Sequence, residues 1–457
     1  MRKNREYIKK PIKHRRKRFN PAKILFLGYF FVVVIGAGLL MLPISQTGVY
    51  DIGLIDALFT ATSAVSVTGL TTVTVSYAWS FFGWLIILCM VQVGALGFMS
   101  LTVVFFFLAH KKISLSHRLL ISRAIDLHDV QGVVKLTLHV LVGTFFFQLL
   151  GALLLWFRFA PIYGLWEGLG MGAFHSITAF ANAGFNLFGS YGLQVYREDV
   201  FITATIMTLT IIGGLGFFVW EDLWQSRFKF KKLHLHSKLV LSITLFLIIF
   251  GTTLFFIAER NNPYSLYDTS LPQALHISLF QSISPRSSGF TLVEQSHLMG
   301  LTQMLIMTLM LIGASAGSTG GGIRNVTVGI LLIASFNFFR GRSRVSAFGR
   351  TVPAAQVHMA VTISFTVLFA AFFGTALISL MHGDIPFTAV LFEVISAIGT
   401  VGLSHGITAH LSPAAQLLLI VFMFFGRLGI IALGMMAFSN RNVVEKTKYP
   451  DSWIMMT

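Results

Sequence analysis

Four stretches decide how this chain is read. They are Asp56–Leu70 (DALFTATSAVSVTGL), Ala173–Phe185 (AFHSITAFANAGF), Ala274–Phe290 (ALHISLFQSISPRSSGF) and Ala389–Leu403 (AVLFEVISAIGTVGL). Each is a short apolar or small-residue segment, too short to cross a bilayer, which takes about 20 apolar residues. Aligned on the last glycine they give Gly69, Gly184, Gly289 and Gly402, spaced 115, 105 and 113 residues apart. Ten residues upstream lie Phe59, Phe174, Leu279 and Phe392, and just after each glycine stands Leu70, Phe185, Phe290 or Leu403. A nearly fixed long period is a repeat signature.

A second landmark keeps step with the first. Glycine pairs at Gly94/Gly97, Gly213/Gly216, Gly313/Gly317 and Gly426/Gly429 begin 25, 29, 24 and 24 residues after the aligned glycine. They fall inside longer apolar stretches, where they predict kinks. Eight such stretches are read as membrane spans: 23–45, 81–109, 136–159, 200–224, 238–258, 301–338, 358–381 and 413–439. The predicted order is span, re-entrant helix, glycine turn, span, four times over.

Composition supports a membrane protein and excludes much else. Of 457 residues 55% are hydrophobic and only 11% charged, against about 25% charged in soluble domains. A single cysteine, Cys89, excludes an intramolecular disulfide and a multi-cysteine zinc site. The net charge of +17 would suggest nucleic acid in a soluble protein, but beside these spans it is a topology signal. No nucleic-acid partner is expected.

Of 34 Lys and Arg, 28 fall on one side of the eight-span reading. They occupy the N-terminal tail, the connections after spans two, four and six, and the C-terminal tail. The positive-inside rule makes that side cytoplasmic, with both termini on it. The basic tail before span one and the lack of a small-residue cleavage site mark that span as retained. The basic loops also suit anionic lipid or a docking partner.

Each unit holds two full spans, so all four copies run parallel around an axis along the membrane normal. The expected fold is an all-α integral membrane protein with four parallel M1-P-M2 repeats: eight transmembrane helices and four re-entrant pore helices around a central pore. The divisions are a basic tail (1–22), repeat 1 (23–125), repeat 2 (126–235), repeat 3 (236–350, with an intramembrane loop at 313–322), repeat 4 (351–440) and a C-terminal tail (441–457).

Re-entrant backbone at membrane depth must be buried in protein or line a watery cavity, because lipid cannot satisfy its polar groups. Glycine permits positive φ and leaves the path open. Inward carbonyl oxygens then replace a cation's hydration shell. The half-helix C-termini, each worth roughly half an elementary negative charge, favour a cation. Hydroxyls at Thr62, Ser63, Ser66, Thr68, Ser282, Ser287 and Ser396 are candidates to brace the turns.

Gly313, Ala314, Ser315, Ala316, Gly317, Ser318, Thr319, Gly320, Gly321 and Gly322 interrupt a long apolar stretch. Five glycines, each costing about 1 kcal/mol relative to Ala, predict a loop that lines the pore rather than a straight helix. A close helix contact through small residues is the alternative. Arg427 lies in an apolar span and is a candidate functional residue. Its alternative role is to fix the bundle by pairing with a carbonyl or with Glu393. Arg286 and Glu393 are read as braces behind the half-helices, and His175 and His276 as satisfied half-helix residues. No metal-ligand spacing, nucleotide loop or nucleophile–base motif appears, so no enzyme activity and no covalent cofactor are expected.

These strings resemble the Trk/Ktr/HKT superfamily of potassium transporters, and most closely the bacterial Ktr membrane subunit. The matching segments are Leu42-PIS, Ala57-LFTA, Val67-TGL, Phe180-ANAGF, Ser284-PRSSGF, Ile398-GTVGL and Phe425-GRLG. The resemblance implies K⁺ uptake, with Na⁺ as an activator or coupling ion. It implies a selectivity filter of Val67, Thr68 and Gly69; Asn182, Ala183 and Gly184; Ser287, Ser288 and Gly289; and Thr400, Val401 and Gly402. Their backbone carbonyls would coordinate K⁺. Glycine at all four positions resembles the potassium-selective members. The resemblance makes 313–322 and Arg427 a gate below the filter. It also implies a homodimer in the plasma membrane on a cytoplasmic ring of RCK-type nucleotide-binding subunits.

Overall fold

The computed structural model describes residues 21–97, 133–342 and 344–429. The N-terminal tail up to residue 20, the C-terminal tail and most of the basic connection after span two lie outside the described residues.

The chain is mostly helical. Four helices are long and apolar enough to cross a membrane: α1 (Pro21–Leu40), α4 (Val133–Tyr163), α8 (Leu235–Glu259) and α12 (Ala354–Met381). Each is followed by a shorter helix: α2 (Leu54–Ser66), α5 (Leu165–Ala181), α9 (Leu271–Ile283) and α13 (Phe387–Gly399). The C-terminal halves of these short helices are buried almost without exception. After each comes a third helix: α3 (Phe81–Leu96), α6 (Val200–Gly214) with α7 (Phe217–Gln225), α10 (Gly300–Leu311) with α11 (Asn325–Phe339), and α14 (Pro413–Leu428).

The third helices are shorter than the apolar stretches that contain them. At 1.5 Å per residue, 12 to 16 residues reach only about 18–24 Å. Glycine with positive φ ends them: Gly97 at 79°, Gly216 at 93° and Gly429 at 81°. The stretch at 200–224 is therefore two helices bent by 89°. The stretch at 301–338 is likewise two helices, separated by residues 312–324.

The other glycine of each pair allows contact. A Cβ on Gly94, Gly213 or Gly426 would collide with the carbonyl oxygen of Val65, Phe180 or Ile398. Those carbonyls occupy equivalent places in the last turns of α2, α5 and α13. The glycine pair read as a kink thus has two parts, a contact and a break.

Packing between units closes a circle. α3 packs on α5, α6 on α9, α10 on α13, and α14 on α2. The buried core runs through the short helices, with Phe59, Phe174, Phe280 and Phe392 almost wholly enclosed. The long helices instead turn many phenylalanines outward, including Phe31, Phe157, Phe365 and Phe369. Apolar surface on that scale marks contact with lipid or protein. A two-stranded hairpin, β1 (Ser346–Ala347) and β2 (Arg350–Thr351), follows α11.

Candidate functional site

The short helices end at one place. α2, α5 and α13 close with a left-handed residue, Val67 (φ 58°), Asn182 (φ 60°) and Thr400 (φ 48°), and in the third unit Ser287 (φ 77°) holds the same position. In three units two amides bond back into the last turn: Val67 to Ala64 and Thr68 to Ser63, Asn182 to Ala179 and Ala183 to Thr178, Thr400 to Ala397 and Val401 to Ser396. This end motif ordinarily carries glycine. A β-branched residue there, as at Val67 and Thr400, is a backbone outlier of the kind that clusters at functional sites.

Two residues on stand Gly69, Gly184, Gly289 and Gly402, again with positive φ. They form a closed ring. A Cβ on Gly69 would stand 2.5 Å from the Ala183 carbonyl oxygen, one on Gly184 3.0 Å from that of Ser288, and one on Gly289 2.5 Å from that of Val401. A Cβ on Gly402 would collide with the Thr68 carbonyl and complete the circle. The structure thus brings Thr68, Ala183, Ser288 and Val401 together, each carbonyl beside the glycine of the preceding unit. Hydroxyls hold part of this ring: Gly69 N–H donates to Ser63 Oγ (3.0 Å) and Gly402 N–H to Ser396 Oγ (3.1 Å). Ser66 and Thr68 pair at 2.6 Å, while Ser282 donates to the Ile248 carbonyl at 2.9 Å, behind the ring.

The loop from Gly313 to Gly322 lies against the same helix ends. Its flanks are tied to each other, Gly313 N–H to the Ile323 carbonyl at 2.9 Å and Ile323 N–H to that of Leu311 at 3.2 Å. Its middle is tied to the bend between α6 and α7: Ser315 N–H donates to Gly214 O (3.1 Å), Thr319 N–H to Gly213 O (3.3 Å), and Phe217 N–H to Gly317 O (2.9 Å). Ser318 Oγ donates to the Ser315 carbonyl within the loop. Its glycines make room for the left-handed residues. A Cβ on Gly320 would meet Ser287 at 2.9 Å, and one on Gly321 would collide with Thr400. The side chains of Asn182 and Thr319 meet at 2.8 Å. Ala314 is buried, and the Ala316 carbonyl faces Gly216.

Arg427 reaches this loop from α14. Its guanidinium donates to the carbonyls of Thr319 and Gly94, and to that of Ala95 at 3.3 Å. Among the described residues it pairs with no carboxylate. Arg324, just after the loop, donates to the Gly320 carbonyl at 2.5 Å. Glu393 is engaged elsewhere, by Ser404 and Thr408. Arg286 is buried and donates to the carbonyl and hydroxyl of Thr244 on α8. His175 accepts from the Leu187 amide and His276 pairs with Thr203, so both have protein partners. The Asn182–Thr319 contact and the Arg324–Gly320 bond carried no sequence signal, because the first joins two side chains and the second a side chain and backbone through the fold rather than through a pattern. Among the described residues no group of three or more His, Cys, Asp or Glu is placed to hold a metal.

Comparison with known proteins decides the family. The family model described as TrkH, cation transport protein, matches residues 21–443. The chain belongs to this family. It is 38% identical to the potassium/sodium uptake protein NtpJ of Enterococcus hirae, covering 96% of this chain and 98% of that one. It is 36% identical to the Ktr system potassium uptake protein B of Bacillus subtilis, covering 95% and 96%. The crystal structure of the potassium transporter TrkH from Vibrio parahaemolyticus shares the fold, with a TM-score of 0.70 over 93% of this chain and 86% of that one at 18% identity. Membership in this family, with the apolar helices and outward phenylalanines, makes the chain a multi-pass membrane protein.

Proposed function

We propose that this protein takes up K⁺ across the cell membrane through a central four-part filter. The observation that carries the reading is the closed ring of Gly69, Gly184, Gly289 and Gly402. Four positive-φ glycines, each against its neighbour's carbonyl, leave backbone oxygens as the groups that line the axis. Carbonyl oxygens replace the hydration shell of an alkali cation. The filter is Val67–Gly69, Asn182–Gly184, Ser287–Gly289 and Thr400–Gly402, and the ends of α2, α5, α9 and α13 add negative helix-end potential beside it. The relatives named for potassium uptake, and for potassium and sodium uptake, support K⁺ as the cargo and Na⁺ as an activator or coupling ion.

The membrane reading follows the same four units. Each contributes a long span, a re-entrant helix and a second span interrupted by glycine, with both termini cytoplasmic. The loop 313–322 is the gate, held in place by Arg427. The word system in the relatives' names supports further subunits. A homodimer on a ring of RCK-type nucleotide-binding subunits, docked at the basic loops, is the assembly we propose.

Complementation of a K⁺-uptake-deficient bacterium, with Rb⁺ flux into proteoliposomes, tests the function. Growth at low K⁺ and saturable Rb⁺ entry are expected. Gly69→Ser should weaken K⁺ over Na⁺ discrimination. Unchanged selectivity in that variant would remove the filter assignment.

A further inference from the structure

The four outgoing strands, which run on from the ring glycines, are not held alike. In the second unit His175 lies nine residues before Gly184, and its Nε2 accepts the main-chain N–H of Leu187, three residues after it, at 3.1 Å. In the fourth unit Glu393 lies nine residues before Gly402. Its Oε1 accepts the main-chain N–H of His405, again three residues after the glycine, at 3.1 Å. Different side chains at one helical position thus grip the same amide in units that face each other across the ring.

The remaining units do otherwise. The equivalent helical position is Thr60 in the first unit and Phe280 in the third. Thr60 Oγ1 is buried without a partner among the described residues, and phenylalanine has no acceptor. Those strands are tied through side chains instead, Thr72 to Asp56 at 2.6 Å and Thr291 to Gln281 at 3.2 Å.

Both braces are built to last. His175 and Glu393 are fully buried. The Met171 carbonyl lies 2.7 Å from His175 Nδ1. A carbonyl only accepts and an amide only donates, so Nδ1 carries the proton and Nε2 is free to accept. Phe188 then stacks on the imidazole, centroids 4.0 Å apart and planes 11° from parallel. Glu393 has two further donors, Ser404 and Thr408.

We propose that His175 and Glu393 are paired positioning residues that fix the outer ends of the second and fourth filter strands, and so set selectivity along one diagonal of the ring. This rests on the filter reading above. Neither side chain meets the ion. Each acts through the main chain by setting how far two opposed carbonyl columns can spread.

The test compares Met and Gln at each site in proteoliposomes, reading the ratio of Rb⁺ to Na⁺ entry rather than total flux. Methionine keeps much of the volume but lacks a strong acceptor; glutamine keeps an oxygen for the amide. His175→Met and Glu393→Met should lower the ratio about three- to tenfold, the scale of one net hydrogen bond. His175→Gln and Glu393→Gln should hold it near the parent value, and Thr60→Ala should not move it. Reduced flux at an unchanged ratio in both Met variants would make the residues merely structural and overturn the proposal. Gly69→Ser run in parallel separates the two readings. If it lowers the ratio and the Met variants do not, only this proposal fails; if it does not, the filter reading fails first. Should the Met variants not assemble, hydrogen exchange on the parent protein decides. The amides of Leu187 and His405 should exchange more slowly than those of Thr72 and Leu292, and equal rates would overturn the braces.

Discussion

Asn182 and Thr319 lie 137 residues apart, yet their side chains meet at 2.8 Å. One is the left-handed residue two positions before a ring glycine, and the other belongs to the loop beneath. Thr319 has four attachments: its hydroxyl reaches Asn182 and the Phe180 carbonyl, its amide donates to the Gly213 carbonyl, and its own carbonyl accepts from Arg427. On the proposed gate reading, this residue latches the loop to the filter. Thr319→Val removes the hydroxyl and little volume. Rb⁺ flux should rise about three- to tenfold, as one net hydrogen bond of latch is lost. Flux equal to the parent would show that this contact does not hold the loop shut.

Arg427 holds the same loop from the other side, through the carbonyls of Thr319 and Gly94. Arg427→Ala removes these bonds, the one to the Ala95 carbonyl, and a positive charge close to the proposed ion path. Deletion of 314–321 removes the proposed gate itself. Both should raise basal Rb⁺ flux, the deletion more. If the deletion leaves flux unchanged in liposomes, the loop is not a gate.

The ring makes a graded prediction. Alanine at Gly402 collides with the Thr68 carbonyl, and at Gly69 or Gly289 it stands 2.5 Å from a carbonyl oxygen. At Gly184 the nearest carbonyl is 3.0 Å away. All four also force a side chain into positive φ, at a cost of about 1–2 kcal/mol. Selective Rb⁺ uptake should therefore survive best in Gly184→Ala and fall furthest in Gly402→Ala. An inverted order in flux assays would contradict the ring geometry.

The sequence shows why glycine recurs at 69, 184, 289 and 402, because a repeat of about 110 residues is visible without coordinates. The paired glycines were equally visible, but only half understood. Gly94 and Gly97 read as one kink, whereas one permits contact with the Val65 carbonyl and the other ends the helix. Val67 and Thr400 gave no sign of left-handed backbone, since β-branched residues ordinarily avoid it. The bond from Arg324 to Gly320 was also invisible, because whether that arginine turns back onto its own loop depends on tertiary packing. Periodicity records which face of a helix is buried. It does not record which distant backbone a side chain will reach.

Orientation is open to a labelling test. Cys89 is the only cysteine, so Cys89→Ser gives a clean background. Tyr191, after α5, and Phe348, in the turn of the hairpin, are both exposed. On the positive-inside reading they lie on opposite sides of the membrane. An impermeant maleimide on intact cells should label Tyr191→Cys, and Phe348→Cys only after permeabilisation. The reverse pattern would turn the whole topology over.

The contact between α4 and α5 offers a stability test that needs no transport assay. Gly168 and Gly172 sit four residues apart on one face of α5, a spacing that lets membrane helices approach closely. A Cβ on Gly168 would stand 2.8 Å from Ala160 N, and one on Gly172 2.8 Å from the Ala152 carbonyl oxygen. Both contacts are backbone, which cannot swing aside, so alanine must push the helices apart. Overpacking of this kind costs about 1–3 kcal/mol. Gly170, on the same helix, has nothing within 4 Å of an added Cβ. Alanine there gains helix propensity, about 1 kcal/mol in a helix interior, and meets no neighbour. In detergent, Gly172→Ala should lower the thermal midpoint and Gly170→Ala should hold or raise it. Equal losses for the two would mean that α4 and α5 do not pack through the Gly168–Gly172 face.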